Sequence, residues 1–218
     1  MDYADARKRM VDGQLRPNKV TDLRLLEAMR ELPRESFLPP AVQARAYTDE
    51  EVPLPGGRAL LEPMILARLL QLAAVRPGDR ALVLGAGTGY GAAVLARMGA
   101  RVTAVESDAA LLAVARVALP ACLPAGAVRL EAASPAAGFA GSAPYDVVLI
   151  EGEVPEVPPA LAKQLAEGGR LVGVIGDGRR NGRAVLGQKL GGSFTTSAVF
   201  DCAAAPLPAF ARSVGFVF

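Results

Sequence analysis

Histidine is missing from this 218-residue chain. Its absence removes the commonest general base, the commonest activator of a nucleophile and the commonest metal ligand together, so no metal is expected. Cysteine is nearly missing too. Cys122 and Cys202 stand far apart, in no metal-ligand spacing. They read as small buried apolar residues and fit a reducing compartment. No apolar run approaches the ~18 residues of a membrane span. The first residues, MDYADARKRMVDGQ, have no apolar centre of the secretory kind, so a cytoplasmic setting is expected. Charge of one sign is also lacking: 24 Lys and Arg face 22 Asp and Glu. That balance argues neither for nor against nucleic acid, but no basic block appears, and neither nucleic acid nor membrane is an expected partner. What remains is 51% apolar, enough for one well-buried domain with an appendage.

The organising stretch is 81–96, ALVLGAGTGYGAAVLA. Residues 81–84 read as a strand buried on both faces, and 92–98 as a helix. Between them stand Gly85, Gly87, Gly89 and Gly91, with Ala86, Thr88 and Tyr90 interleaved. Strand, glycine turn and helix together bring backbone N–H groups close to a ligand, and glycine permits that approach. The dinucleotide pattern G-x-G-x-x-G does not fit, because its third glycine would fall on Tyr90. The tighter G-x-G-x-G resembles the nucleoside-binding turn of S-adenosylmethionine-dependent methyltransferases. Glu106 ends the apolar run 102–105 and can accept two hydrogen bonds from ribose hydroxyls.

Around this unit, 2–45 reads as a helical preface, with Thr21 capping a helix over 22–32. It is too small for its own core and must lie on the larger domain C-terminal to it. Residues 47–63, with three prolines and two glycines, read as a loop with little room for regular structure. Next come a helix at 64–74 and strands at 102–105, 128–131, 146–150 and 170–175. Helices are expected at 108–118, broken at Pro120, and at 158–166. Strands at 184–190 and 195–200 have no helix between them, and 214–218 closes the chain. The expected fold is α/β: a doubly wound, mostly parallel seven-stranded sheet with an antiparallel edge hairpin. The expected division is a preface over 1–46, an acceptor-side loop over 47–63 and a nucleoside-binding domain over 64–218, all one structural domain.

The order of motifs resembles the protein-L-isoaspartate O-methyltransferases over nearly the whole chain. The match runs through M-V-x-x-Q-L at 10–15, A-M-x-x-x-P-R-x-x-F at 28–37, A-Y-x-D at 46–49 and P-L-P-G-G at 53–57. G-x-G-T-G-Y-x-A-A-V-L-A at 85–96 is its most specific part. P-Y-D at 144–146, P-E-V-P-x-A-L at 155–161 and Q-L-x-x-G-G-R-L-V at 164–172 continue in register. The resemblance implies a Rossmann-like class I methyltransferase that uses S-adenosylmethionine to methyl-esterify isoaspartyl carboxylates in a protein or peptide, a repair reaction. It also implies cofactor contacts at Gly85, Ala86, Gly87, Thr88, Gly89, Tyr90, Glu106, Ser107 and Ser134.

Three departures from the family pattern matter, two on the acceptor side and one at the adenine. Leu61 stands where the family carries a serine held central to catalysis, so no catalytic residue is assigned. Ala133, Ser134 and Pro135 replace G-D-G, whose Asp holds the adenine. Glu151, Gly152 and Glu153 replace a small T-A-A, and two new carboxylates there would repel an anionic acceptor. Acceptor-side candidates are Tyr47, Asp49, Arg58, Leu61, Glu62 and Glu151. Arg58 and Arg68 could attract an anionic acceptor; Asp49, Glu50 and Glu51 could serve as bases for another kind. A carboxylate acceptor is already ionised at pH 7 and needs no base, which agrees with the missing histidine. The competing readings are a methyltransferase with a different acceptor and a protein that binds cofactor or partner without catalysis.

Overall fold

The computed structural model describes residues 2–178 and 182–211; the strand expected at 214–218 lies outside them. Strands β1 (Val52–Leu54) and β2 (Arg58–Leu60) pair with each other. The main sheet takes β3 (Arg80–Leu84), β4 (Arg101–Glu106), β5 (Val128–Ala132), β6 (Tyr145–Val154), β7 (Leu165–Ile175), β8 (Gly182–Leu190) and β9 (Ser193–Cys202). Their spatial order is β5-β4-β3-β6-β7-β8-β9. Strands β3 to β7 run parallel; β8 is antiparallel to both of its neighbours, giving the expected edge hairpin.

Ala81, Leu82, Val83 and Leu84 are all fully buried. Their alternation divides two cores, with Val83 joining the cluster on one face of the sheet and Leu82 and Leu84 the cluster on the other. Helices α1 (Tyr3–Met10), α2 (Leu23–Glu31), α3 (Pro63–Leu72), α4 (Tyr90–Arg97), α5 (Ala109–Cys122) and α6 (Pro159–Gln164) complete the fold. Met10, Leu25, Met29 and Phe37 of the preface share one apolar cluster with Leu66 of α3 and Val94 of α4. The preface therefore takes its core from the sheet's own helices. Asp22, not Thr21, caps α2, its carboxylate accepting from the Arg24 and Leu25 N–H groups. Thr21 N instead donates to Gln71 Oε1 at 2.6 Å.

Several expectations are corrected. Residues 47–63 are not irregular, since β1 and β2 form a hairpin within them. Pro53 sits on its exposed side, where a missing N–H costs no ladder bond, and Gly56 and Gly57 turn at φ of 70° and 69°. Helix α5 continues through Pro120 to Cys122, because that proline falls in its last turn; Leu123 N still donates to Leu119 O. Helix α6 stops at Gln164, and β7 begins there rather than at Arg170. Both cysteines are half-buried and unpaired, not sealed in the core.

Candidate active site

The strand order reverses between β3 and β6, so a crevice opens beyond their carboxyl ends. The glycine turn forms its floor. Gly85, Gly87 and Gly89 have φ of 65°, 55° and 94°, all in the left-handed region that favours glycine. Ala86 N donates to Val105 O and Gly89 N to Ala86 O, so the turn is fixed to β4 and leads directly into α4. Ala86, Thr88 and Tyr90 are wholly buried. Tyr90 packs edge-on against Phe37, with ring centroids 5.4 Å apart, and burial pushes its phenol up to about 12.

Glu106 ends β4 with no exposed surface. Its Oε1 accepts from Ser107 N at 2.7 Å and Asp108 N at 2.9 Å. Its Oε2 accepts from Gly87 N and from Arg58 Nη1, each at 2.8 Å. A carboxylate offers about four acceptor positions. All four are therefore filled, three by backbone and one by a side chain. The Arg58 position is the one of the four whose donor is a side chain.

Arg58 is the surprise of the site. Residues facing inward along the hairpin are Val52, Leu54, Arg58 and Leu60, so strand alternation carries a guanidinium into the crevice. There its Nη2 donates to Gly85 O at 2.7 Å while Nη1 holds Glu106. It is 8% exposed, not a surface arginine. Arg68, by contrast, stacks on β9, its guanidinium carbon 3.6 Å from the Phe200 ring centroid. Ser107 is exposed beside Glu106, and Ser134 is exposed just before Pro135.

The remaining acceptor-side candidates divide. Leu61 is 3% exposed within the apolar core, and its carbonyl accepts from Arg34 Nη2 at 2.6 Å. Tyr47 is half-buried and its hydroxyl donates to Glu35; burial, then Glu35, holds that phenol above its ordinary value. Asp49 and Glu50 are exposed, and Glu50 pairs with Arg45. Glu51 accepts from Ala205 N at 3.0 Å. Glu62 is half-buried, pushed up to about 6 by burial and then by Asp49 and Glu51.

Glu151 owes its position to a bulge. Strand β6 places three residues between Leu149 and Glu153 where β7 places one between Val172 and Val174. The carboxyl turns inward against Gly91 in the first turn of α4, where a methyl group would stand 1.6 Å from Oε1. Burial pushes it up to about 8, against the pull of Arg58 and Arg34. Burial thereby favours its neutral form, which weakens its expected repulsion of an anion. Glu153 accepts from Gly178 N at 2.6 Å, which ties it to the loop after β7.

Arg34 is absent from the candidates that the sequence suggests. It is wholly buried, donates Nε to Ala46 O at 2.7 Å, and lies 4.9 Å from the Tyr90 ring centroid. It joins the preface, Leu61 and the glycine turn. Its one signal in the sequence is its place in P-R-x-x-F at 33–37.

Two cavities flank this arrangement. One of about 290 Å³ is lined by Gly56, Arg58, Glu106, Ser107, Asp108 and Pro135, with Leu207 and Pro208 above. The other, about 580 Å³ and more apolar, lies beyond β6 and β7 against Gly57, Glu153, Gly176, Leu207 and Pro208.

A seven-stranded sheet carrying a left-handed glycine turn and a buried acid at adjoining strand ends defines a Rossmann-like class I methyltransferase fold. The chain matches the family described as Protein-L-isoaspartate(D-aspartate) O-methyltransferase (PCMT) over residues 6–209, and it belongs to that family. It is 44% identical over 171 residues to a protein-L-isoaspartate O-methyltransferase of Methylorubrum populi, covering 78% of this chain and 80% of that one. It is 38% identical over 205 residues to one of Koribacter versatilis, covering 94% and 91%. A solved protein-L-isoaspartate O-methyltransferase superposes with a TM-score of 0.78 at 26% identity. That superposition covers 92% of this chain and 65% of the solved one. A Plasmodium falciparum structure, titled as a complex with S-adenosyl-L-homocysteine, shares the fold with a TM-score of 0.77 at 18% identity, covering 92% and 98%.

The residues fit a nucleoside cofactor as a set. Glycines permit close approach at 85–89, Glu106 Oε2 is a fixed acceptor, and the smaller cavity runs along Ser107, Asp108 and Pro135. Their present arrangement is closed: a Cβ on Gly85 would meet Leu207 at 2.9 Å and Arg58 Nη2 at 3.2 Å.

Proposed function

We propose that this protein is an S-adenosylmethionine-dependent methyltransferase that esterifies isoaspartyl carboxylates in protein or peptide acceptors, a repair reaction. The observation that carries the reading is the glycine turn held to buried Glu106 at the switch point of a family fold. Bound S-adenosylmethionine would supply an electrophilic methyl group on a sulfonium. Gly85, Ala86, Gly87, Thr88 and Gly89 offer it backbone at close range, with Tyr90 fixing the turn from beneath. Glu106 and Ser107 would hold the ribose, and Ser134 would hold the base.

Because an isoaspartyl carboxylate is ionised at neutral pH, alignment and exclusion of water are the contributions this chain must make. Leu207, which lines both cavities, would keep water out, and the apolar cavity beyond β6 and β7 would receive the acceptor. No side chain is assigned as base. The acidic groups Asp49, Glu51 and half-buried Glu62 would favour peptides with basic residues beside the isoaspartyl carboxylate. No helix among the described residues is long and apolar enough to cross a membrane. A cytoplasmic setting belongs to the same proposal, supported by the two unpaired cysteines.

The test is methyl transfer from labelled cofactor to an isoaspartyl peptide beside its aspartyl twin, together with calorimetry of cofactor binding. Selective turnover of the isoaspartyl peptide supports the reading. Turnover of other acceptors alone would reassign the substrate, and binding without turnover would make the chain a cofactor-binding protein.

A further inference from the structure

We propose that Arg58 and Leu207 form a latch across the crevice, and that cofactor binding exchanges the Arg58 guanidinium on Glu106 Oε2 for a ribose hydroxyl. The inference rests on the cofactor reading above and adds to it the residues that control entry.

Continuity is the first argument. In-line methyl transfer needs one uninterrupted space from nucleoside to acceptor. Here the cavity beside Glu106 and the cavity beyond β6 and β7 are separated by Leu207 and by the hairpin, whose Gly56 faces one and Gly57 the other. A ligand lying over the glycine turn would occupy the place now taken by Leu207 and the Arg58 guanidinium, the atoms nearest a Cβ on Gly85.

Exchangeability is the second. Three of the four donors on Glu106 are backbone groups of Gly87, Ser107 and Asp108, which cannot leave without unfolding the turn. Arg58 is held by one hydrogen bond to Glu106 and one to Gly85 O, on a hairpin of three-residue strands. When it departs, the carboxylate keeps its three backbone bonds and gains one from the ribose, so no buried charge is left bare.

Linkage between the two halves is the third. Leu207 is held by the segment before it: Leu207 N donates to Glu153 O, and Glu153 N donates to Ala205 O. Ala205 N in turn donates to Glu51 Oε1, immediately before β1. The carboxyl-terminal segment and the hairpin are thus tied through Glu51, so moving one bears on the other.

Calorimetric titration of the full chain with S-adenosylhomocysteine tests this without catalysis, using wild type, Arg58→Gln and Leu207→Ala. The latch predicts roughly tenfold tighter binding by Arg58→Gln, because the ligand no longer displaces a competitor, and tighter binding by Leu207→Ala for the same reason. Leu207→Ala leaves every charge in place and decides the matter alone if Arg58→Gln does not fold. Equal or weaker binding by the folded variants, with wild type binding normally, overturns the latch and leaves the cofactor reading intact. Absence of binding by wild type and both folded variants overturns both.

Discussion

The floor of the crevice is made of backbone and its roof of side chains. Along the floor, Gly85, Gly87 and Gly89 set the path by φ alone, and Glu106 is gripped by three N–H groups. Along the roof, Arg58 and Leu207 set the shape by what their side chains fill, and Leu61 and Glu151 are buried in the packing around them. Backbone geometry tolerates few sequences, so the floor keeps the family pattern. Side-chain packing tolerates compensated exchanges, so the roof can depart from it: the inward Glu151 stands opposite a glycine, Gly91. The comparison breaks if floor substitutions turn out mild or if roof substitutions turn out independent of one another.

Glu106→Ala carries the largest expected effect. It strands a guanidinium that is 8% exposed and leaves the Gly87 N–H without its acceptor. Removing one partner of a buried ion pair costs about 3–5 kcal/mol. Urea denaturation should register a loss of that size, and S-adenosylhomocysteine binding should weaken by about 1.5–3 kcal/mol, the range for a hydrogen bond to a charged group. A loss below about 1 kcal/mol, the range of a surface pair, would mean that Arg58 and Glu106 do not form a buried pair in solution.

Leu61→Ser comes next in size. At 3% exposure inside the apolar core, the serine would leave a cavity and a buried hydroxyl, at about 3 kcal/mol. Restoring the residue the family carries should therefore lower stability, with at most a partial gain in isoaspartyl turnover. A gain in turnover without loss of stability would show that the roof rearranges to present position 61 to the acceptor.

The floor is legible in the sequence and the roof largely is not, for reasons visible at single residues. Glycines at 85, 87 and 89 state their conformation because other residues avoid positive φ, and the run 102–105 states where Glu106 stands. Arg58 is hidden by its neighbours. Pro53, Pro55, Gly56 and Gly57 signal a loop, and the inward alternation of Val52, Leu54, Arg58 and Leu60 is readable only once the turn between them is known. By analogy Leu61 falls where a catalytic serine would stand, but here it belongs to the core. Glu151 reads as a repelling anion because the bulge between Leu149 and Glu153, which buries it, leaves no mark in the local sequence. The helical preface is legible as helices, but its link to the site through Arg34 depends on long-range carbonyls at Ala46 and Leu61.

Gly91→Ala sharpens the comparison where floor and roof touch. Its methyl group would stand 1.6 Å from Glu151 Oε1, and a buried carboxyl has little room to move aside. Overpacking of this kind costs about 2 kcal/mol. Glu151→Ala added to Gly91→Ala should recover most of it, so a double-mutant cycle measured by thermal unfolding should show strong coupling. Additive effects would place the Glu151 side chain elsewhere.

The smallest expected effect is a pH dependence carried by Glu151. Its carboxyl is pushed up to about 8 by burial; Arg58 and Arg34 oppose the shift and Glu106 adds to it. Unfolded, a glutamate loses its proton near ~4.3. Between those values the native state binds a proton that the unfolded state has released, so raising pH weakens the fold. The contribution is fully present below the unfolded value and is lost as pH rises through about 8. The slope approaches about 1.4 kcal/mol per pH unit, or about 1–2 kcal/mol between roughly pH 6.5 and 8. Glu151→Gln keeps the shape without the titration, so its unfolding free energy should lack this component and exceed that of wild type most clearly above about pH 8. Parallel stability profiles for the two proteins would mean that Glu151 is ionised in the fold, paired with Arg58 or Arg34. The roof would then hold a charge network where the neutral carboxyl is expected.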